Sequence, residues 1–195
     1  MVAITDFSTN RKFQELHRTA RDLFWKYGFK RISIEELCHK AGISKMTYYR
    51  FYPNKIELAK SVFENVVNEG IQRFRDIMRA DIPPSEKVRQ FISLKYDGTN
   101  NLSQEFLQDF YEHSDTELSL YVDRKVNQSW EEVLADFRMA QEKGWFRKDL
   151  KPEFLFYIVN KMDFADKELM KLFSSPQEMV MEMITFFMYG MLPRP

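Results

Sequence analysis

The chain has 195 residues, 44% of them hydrophobic and 15% aromatic, enough apolar material for a sizeable core and too much for an intrinsically disordered chain. A single cysteine, Cys38, excludes an intrachain disulfide; no run approaches the roughly 18 apolar residues of a membrane span, and the start "MVAITDFSTNRKF" has no apolar signal-peptide region, so a soluble, cytoplasmic protein is expected. The formal net charge is zero, yet residues 1–60 hold 12 Lys/Arg against 6 Asp/Glu while residues 61–195 hold 17 against 23, a basic head on an acidic body.

Helical periodicity runs through the whole chain. Phe13, Leu16, Ala20, Leu23, Phe24 and Tyr27 share one helical face, and Gly28 stands where a left-handed cap belongs. Ser33 with Glu36 fits a capping box, and Ile34, Leu37, Cys38 and Ala41 predict a short second helix that Gly42 breaks. A third short helix starts near Ser44 or Lys45 and ends before Pro53, whose ring disfavours helical geometry at the preceding residue. Asn54 with Glu57 opens a long helix marked by Ala59, Phe63, Val66, Val67, Ile71, Phe74 and Met78. Val88, Phe91, Ile92 and Tyr96 predict the next, with "DGTNN" (97–101) as a loop, and "SQEFLQDFYEHS" one more. Ser114 with Glu117 caps a long helix that ends at Gly144. Phe154, Leu155, Ile158, Met162, Ala165 and Leu169 continue the period as one helix. Ser175, Pro176 and Glu178 open the last, "EMVMEMITFFMYGM". The expected fold is all-α, with about nine helices. A head spans residues 1–53 and a body 54–195, with the helix over 54–80 bridging and packing the two.

The stretch "KAGISKMTYYRFYPNK" (40–55) is too polar for a core segment and too aromatic for a plain solvated face. Two short helices about a glycine turn form a helix-turn-helix, whose second helix enters the DNA major groove. On that geometry Tyr48 and Tyr52 turn inward with Ile43, Tyr49 and Arg50 turn outward, and Lys45 and Arg50 reach guanine or phosphate.

The run "TARDLFWKYGFKRISIEELCHKAGISKMTYYRFYPNKIEL" resembles the TetR-type transcriptional regulators. Phe24, Gly28, Phe29, Ser33, Ile34, Leu37, Ala41, Gly42, Ile43, Ser44, Thr47, Tyr49, Asn54 and Lys55 carry the resemblance over about 45 residues. Tyr52 departs from it, standing where Phe is usual. The resemblance implies a dimeric, effector-responsive regulator, commonly a repressor, that binds a palindromic operator in double-stranded DNA. It implies phosphate contacts at Ser33, Tyr49 and Lys55, and base-facing positions at Lys45, Met46, Tyr49 and Arg50. Ser44 and Thr47 complete the DNA-contacting set, and Met46 serves equally as a spacer.

In such proteins the body binds a small molecule and its last two helices pair two chains. Tyr96, Phe110, His113 and Trp130 are candidate pocket residues, with Phe106, Tyr111 and Trp145 as further aromatics, although aromatic residues at helical spacing also fit a plain core. Phe154, Ile158, Met183, Phe186 and Phe187 are the candidate dimerisation residues. His17, His39 and Cys38 read as structural. No nucleotide-binding, zinc-protease or hydrolase motif is present, and three scattered histidines with one cysteine are poor metal ligands. Glu131 and Glu132, being adjacent, point in different directions and read as surface. Neither enzyme activity, cofactor, metal nor membrane association is expected. Two alternatives are a helical small-molecule-binding protein without an operator and a regulator controlled by a protein partner.

Overall fold

The computed structural model describes residue 7 and residues 9–111 and 116–192. Ten helices are found among them: α1 (Arg11–Tyr27), α2 (Ile34–Ala41), α3 (Lys45–Phe51), α4 (Lys55–Arg79), α5 (Pro84–Gly98), α6 (Gln104–Tyr111), α7 (Glu117–Glu142), α8 (Pro152–Lys161), α9 (Lys167–Met170) and α10 (Pro176–Gly190). Short polar side chains start most of them. Asn10, Ser33, Ser44, Asn54, Thr116, Asp166 and Ser175 each accept a hydrogen bond from a first-turn amide that has no partner inside the helix.

Four expectations need correction. Met162, Ala165 and Leu169 do not continue α8. The chain leaves the helix after Lys161, Asp163 Oδ1 accepts from the amide of Ala165 at 2.9 Å, and Asp166 caps the separate α9. Local carboxylate–backbone bonds compete with the helix there. Asp97 and Gly98 belong to α5 rather than to a loop. Thr116 caps α7, and Ser114 lies outside the described residues. Gly28 has φ +76° but an extended ψ of 168°, so it is not the left-handed cap; that geometry occurs at Gly42, with φ +64° and ψ +36°.

Two apolar clusters hold the helices together. The first joins head to body: Leu16, Ala20, Phe24 and Trp25 of α1, Leu37 and Cys38 of α2 and Tyr48 of α3 meet Leu58, Val62 and Phe63 of α4, Phe106 and Phe110 of α6, and Val122 of α7. The Trp25 and Phe106 rings lie 4.2 Å apart. The second fills the far end, with Phe74 and Met78 of α4, Val88 of α5, Phe137 of α7, Phe146, Phe156 of α8 and Met188 of α10. At about 1.5 Å per residue, the 25-residue α4 runs about 37 Å along both.

The far end of α4 is closed by Lys87, which is 1% exposed. Its ammonium donates to the carbonyls of Ile77 (3.0 Å), Met78 (3.1 Å) and Ala80, and sits 4.3 Å from the centre of the Trp145 ring. These carbonyls lie at the C-terminal end of the helix, where Ile77 also accepts from the amide of Ala80 (3.3 Å) and Ala80 from that of Ile82 (3.0 Å), so a buried cation there is hydrogen-bonded and aligned with the helix dipole.

Candidate nucleic-acid interface

The α2–α3 pair is built around Gly42. Its left-handed backbone lets the amide of Ile43 reach the carbonyl of Cys38 (3.0 Å) while its own amide reaches His39 (3.3 Å), which closes α2 and turns the chain into α3. Ser44 Oγ then accepts from the amide of Thr47 (3.1 Å) and lies 3.0 Å from Thr47 Oγ1.

The two faces of α3 differ sharply. Tyr48 is fully buried and Tyr52 nearly so. Tyr48 Oη donates to the carbonyl of Asn54 (3.2 Å). Tyr52 Oη donates to Ser61 Oγ (2.8 Å) and accepts from His17 Nε2 (2.5 Å), while Asn65 Nδ2 donates to His17 Nδ1 (3.1 Å). This chain of bonds suits a neutral imidazole, and burial lowers the His17 pKa to about 4. The same burial raises Tyr52 to about 12 and pushes the Tyr48 phenol higher still. The opposite face of α3 carries Met46 at 83% exposure and Tyr49 at 54%, with Lys45 and Arg50 also exposed. Ser33, at the start of α2, is exposed, and its Oγ accepts from the amide of Glu36 (3.1 Å).

Two of the expected cations already have partners. Lys45 pairs with Glu35 of α2, and that bond holds the Glu35 carboxyl below its usual range and raises the Lys45 ammonium. Lys55, expected as a phosphate anchor, is turned inward. Its Nζ donates to the carbonyls of Phe29 (2.8 Å), Lys30 (3.3 Å) and Ile32 (2.6 Å) and lies 4.3 Å from the Phe29 ring centre. All three of its protons face the loop between α1 and α2. A cation at a helix N-terminus opposes the dipole, and these carbonyls supply the compensation. Nothing in the periodicity of 54–80 signals this clamp, because its acceptors lie 23 to 26 residues away.

Elsewhere in the head, Cys38 is buried as a small hydrophobe, whereas His39 is exposed on the last turn of α2 rather than structural. In the body, Phe106, Phe110 and Tyr111 pack on one another, but the pocket candidates Tyr96, Phe110 and Trp130 lie apart. Phe110 is 1% exposed inside the first cluster, Trp130 packs against the second beside Phe156 at 4.4 Å, and Tyr96 is exposed. His113 lies outside the described residues. Core packing accounts for Phe110, and the Trp130 Nε1 hydrogen is buried with no hydrogen-bond acceptor among the described residues. Tyr96 borders an open cleft of about 370 Å³ with Ser175, Gln177, Glu178 and Met181. Among the described residues no group of three or more His, Cys, Asp or Glu is arranged to hold a metal, and no helix is long and apolar enough to cross a membrane.

Of the dimerisation candidates, Phe154 and Phe186 are exposed, Ile158 and Phe187 are half-buried, and Met183 packs against the first cluster instead. Tyr157 and Tyr189, each three residues beyond an exposed phenylalanine, are exposed too. The i, i+3 spacing of these pairs is legible in the sequence, but α10 is apolar on most sides, so the pattern there does not separate exposed Phe186 and Tyr189 from inward Met183.

Residues 16–62 match the family model described as bacterial regulatory proteins, tetR family. Two relatives come from Bacillus subtilis (strain 168), each described as an uncharacterized HTH-type transcriptional regulator. YerO is 27% identical over 108 residues, covering 54% of this chain and 34% of YerO, so the chain spans about a third of that relative. YhgD is 22% identical over 148 residues, covering 73% of this chain and 75% of YhgD. The transcriptional regulator FadR from Bacillus subtilis, solved in complex with stearoyl-CoA, superposes with a TM-score of 0.65 at 14% identity over 92% of this chain and 99% of that one.

Proposed function

We propose, from the premise that the head belongs to the tetR family of bacterial regulatory proteins and the whole chain has that family's fold, that this protein is a transcriptional regulator that binds a palindromic operator as a dimer and releases it in response to a small molecule. The observation that carries the reading is the division of α3: Tyr48 and Tyr52 seat the helix on the head, leaving Met46, Tyr49, Arg50 and Lys45 outward on a basic surface. Such a face suits a major groove, where Arg50 can read guanine and the Tyr49 ring can meet a thymine methyl or a sugar, its hydroxyl a phosphate. Ser33, Ser44 and Thr47 border the same face as backbone contacts. Lys55 acts from behind, holding the α1–α2 loop in place.

The body supplies effector binding and pairing. The same fold holds stearoyl-CoA in the Bacillus subtilis FadR complex, which supports a small-molecule effector here without naming it. Exposed Phe154, Tyr157, Phe186 and Tyr189 favour pairing through α8 and α10. Selection from randomised duplexes with the full chain tests the operator. The expected product is a palindrome with half-sites about 34–36 Å apart, or a multiple of that. A selection that enriches no motif would overturn the operator reading and favour a ligand-binding protein without DNA.

A further inference from the structure

The loop between α1 and α2 is held on both sides. On one side Lys55 of α4 takes the carbonyls of Phe29, Lys30 and Ile32. On the other, Asp109 of α6 accepts the amide hydrogen of Lys30 through Oδ2 at 2.9 Å, and its Oδ1 pairs with Lys30 Nζ at 3.3 Å. The Asp109 side chain keeps only 9% of its exposure, while that of Lys30 keeps 65%. The carboxylate is therefore the sheltered side of this contact, and the Lys30 ammonium is its solvated edge.

Gly28 completes the joint. A β-carbon at Gly28 would stand 2.6 Å from Asp109 Oδ2 and 2.9 Å from Glu105 Cβ, on a backbone with φ +76°. Only a glycine lets the loop lie this close to α6. One residue run thus has Lys30 N on the body's α6 and Lys30 O on α4, three residues before the Ser33 cap that starts α2. The segment that leads into α6 also meets the head: the amide of Ser103, just before α6, donates to the carbonyl of Trp25 at 2.9 Å, and Trp25 Nε1 donates to the carbonyl of Gly98 at the end of α5 at 3.2 Å.

We infer that Asp109 is a positioning residue for the DNA-binding head: by holding the Lys30 amide it ties the 28–32 loop to α6 and so fixes how the α2–α3 pair is set on the body. This rests on the reading of α2–α3 as the DNA-binding element. Charge is not needed for the tie, since the acceptor is an oxygen aimed at one amide, but a carboxylate makes the stronger bond.

The test uses the full chain in four forms: parent, Asp109→Ala, Asp109→Asn and Lys30→Ala. Each is measured for hydrogen exchange across residues 28–33 and for affinity to the duplex that the parent selects and to a scrambled duplex. Asp109→Ala is expected to speed exchange of the Lys30 amide and to lower the selected-to-scrambled affinity ratio by about tenfold, within the range of ordinary site-to-site coupling. Asp109→Asn keeps the volume and an acceptor oxygen, so it gives a smaller change in the same direction, and it carries the test if the alanine variant does not fold. Lys30→Ala keeps the backbone bond and is expected to match the parent in both readouts. An unchanged ratio in both Asp109 variants, whether the two affinities hold or fall together, would overturn the inference while leaving DNA binding intact. A parent that selects no duplex would instead remove the DNA-binding reading beneath it.

Discussion

Lys55 separates what a motif says from what a side chain does. With its ammonium on three loop carbonyls, Lys55→Ala leaves those acceptors without a donor in a partly buried place. Burial already pushes this ammonium's pKa down, and Asp109 opposes the shift. The expected cost is about 1–3 kcal/mol of stability, the usual penalty for stranding such groups, read as a lower unfolding midpoint in denaturant. The salt dependence of DNA binding should stay as in the parent, because no phosphate contact is lost; a slope reduced by one unit would restore Lys55 as an anchor. His17 makes a second prediction. Its folded pKa of about 4 lies below its ordinary value of 6.5, so the unfolded chain binds the proton more tightly. Its contribution to stability is complete above pH 6.5 and is lost as pH falls towards 4, up to about 3 kcal/mol in all. Denaturant unfolding of parent and His17→Phe across pH 4–7 checks this, with a flatter profile expected in the variant. The inward turn of Tyr48 and the outward turn of Tyr49 were legible in the sequence, because neighbouring residues on a seven-residue helix point about 100° apart. Lys55, Lys87 and Asp109 were not, because each acts on backbone groups that only the folded chain brings near.

At the scale of elements, helix starts were written clearly in the chain, and helix continuity less so. Ser33, Asn54 and Ser175 cap the helices where the sequence placed them, since a cap is a local bargain between one side chain and an amide two or three residues on. The break between α8 and α9 leaves no mark on the apolar period. Apolar spacing at Met162, Ala165 and Leu169 stays in step, while Asp163 and Asp166 take the backbone amides out of the helix. On α3 the expected division of labour can be measured. Arg50→Ala should relax selection at one base position, at about 1–3 kcal/mol for a lost bidentate contact, and randomised-site selection that returns the parental motif would count against it. Glu35 lies on the neighbouring helix with its carboxylate on Lys45. In Glu35→Gln that lysine is freed and one negative charge leaves the DNA-facing side, so affinity for any duplex should rise, most at low salt. Fluorescence anisotropy on a scrambled duplex reads it; weaker binding in the variant would mean that Glu35 orients Lys45 rather than competing for it.

The whole molecule departs most from what pattern alone conveys, because its first cluster runs through α1, α4, α6 and α7 without a gap between head and body. The sequence places aromatic residues on most helices but cannot say that Phe106 packs against Trp25 or that Phe110 meets Phe24 and Phe63. Some apolar residues stay outside this packing and gather on two helices. Phe154 and Tyr157 on α8 and Phe186 and Tyr189 on α10 are all more than half exposed, and one short recognition helix reads too few base pairs to stand out among some 10⁶ or more competing genomic sites. In the dimer proposed above, two-fold pairing through these helices buries the rings and doubles the readout. Phe186, at 75% exposure, is the better position for a test than half-buried Phe187, since a charge there costs the isolated fold little. Phe186→Glu and Phe154→Glu should each sediment as monomers with the parental helical signal. They should lose the selected duplex while keeping weak, salt-sensitive binding to any DNA. If both variants still sediment as dimers, the pairing surface lies away from α8 and α10, and their exposed rings serve some other contact.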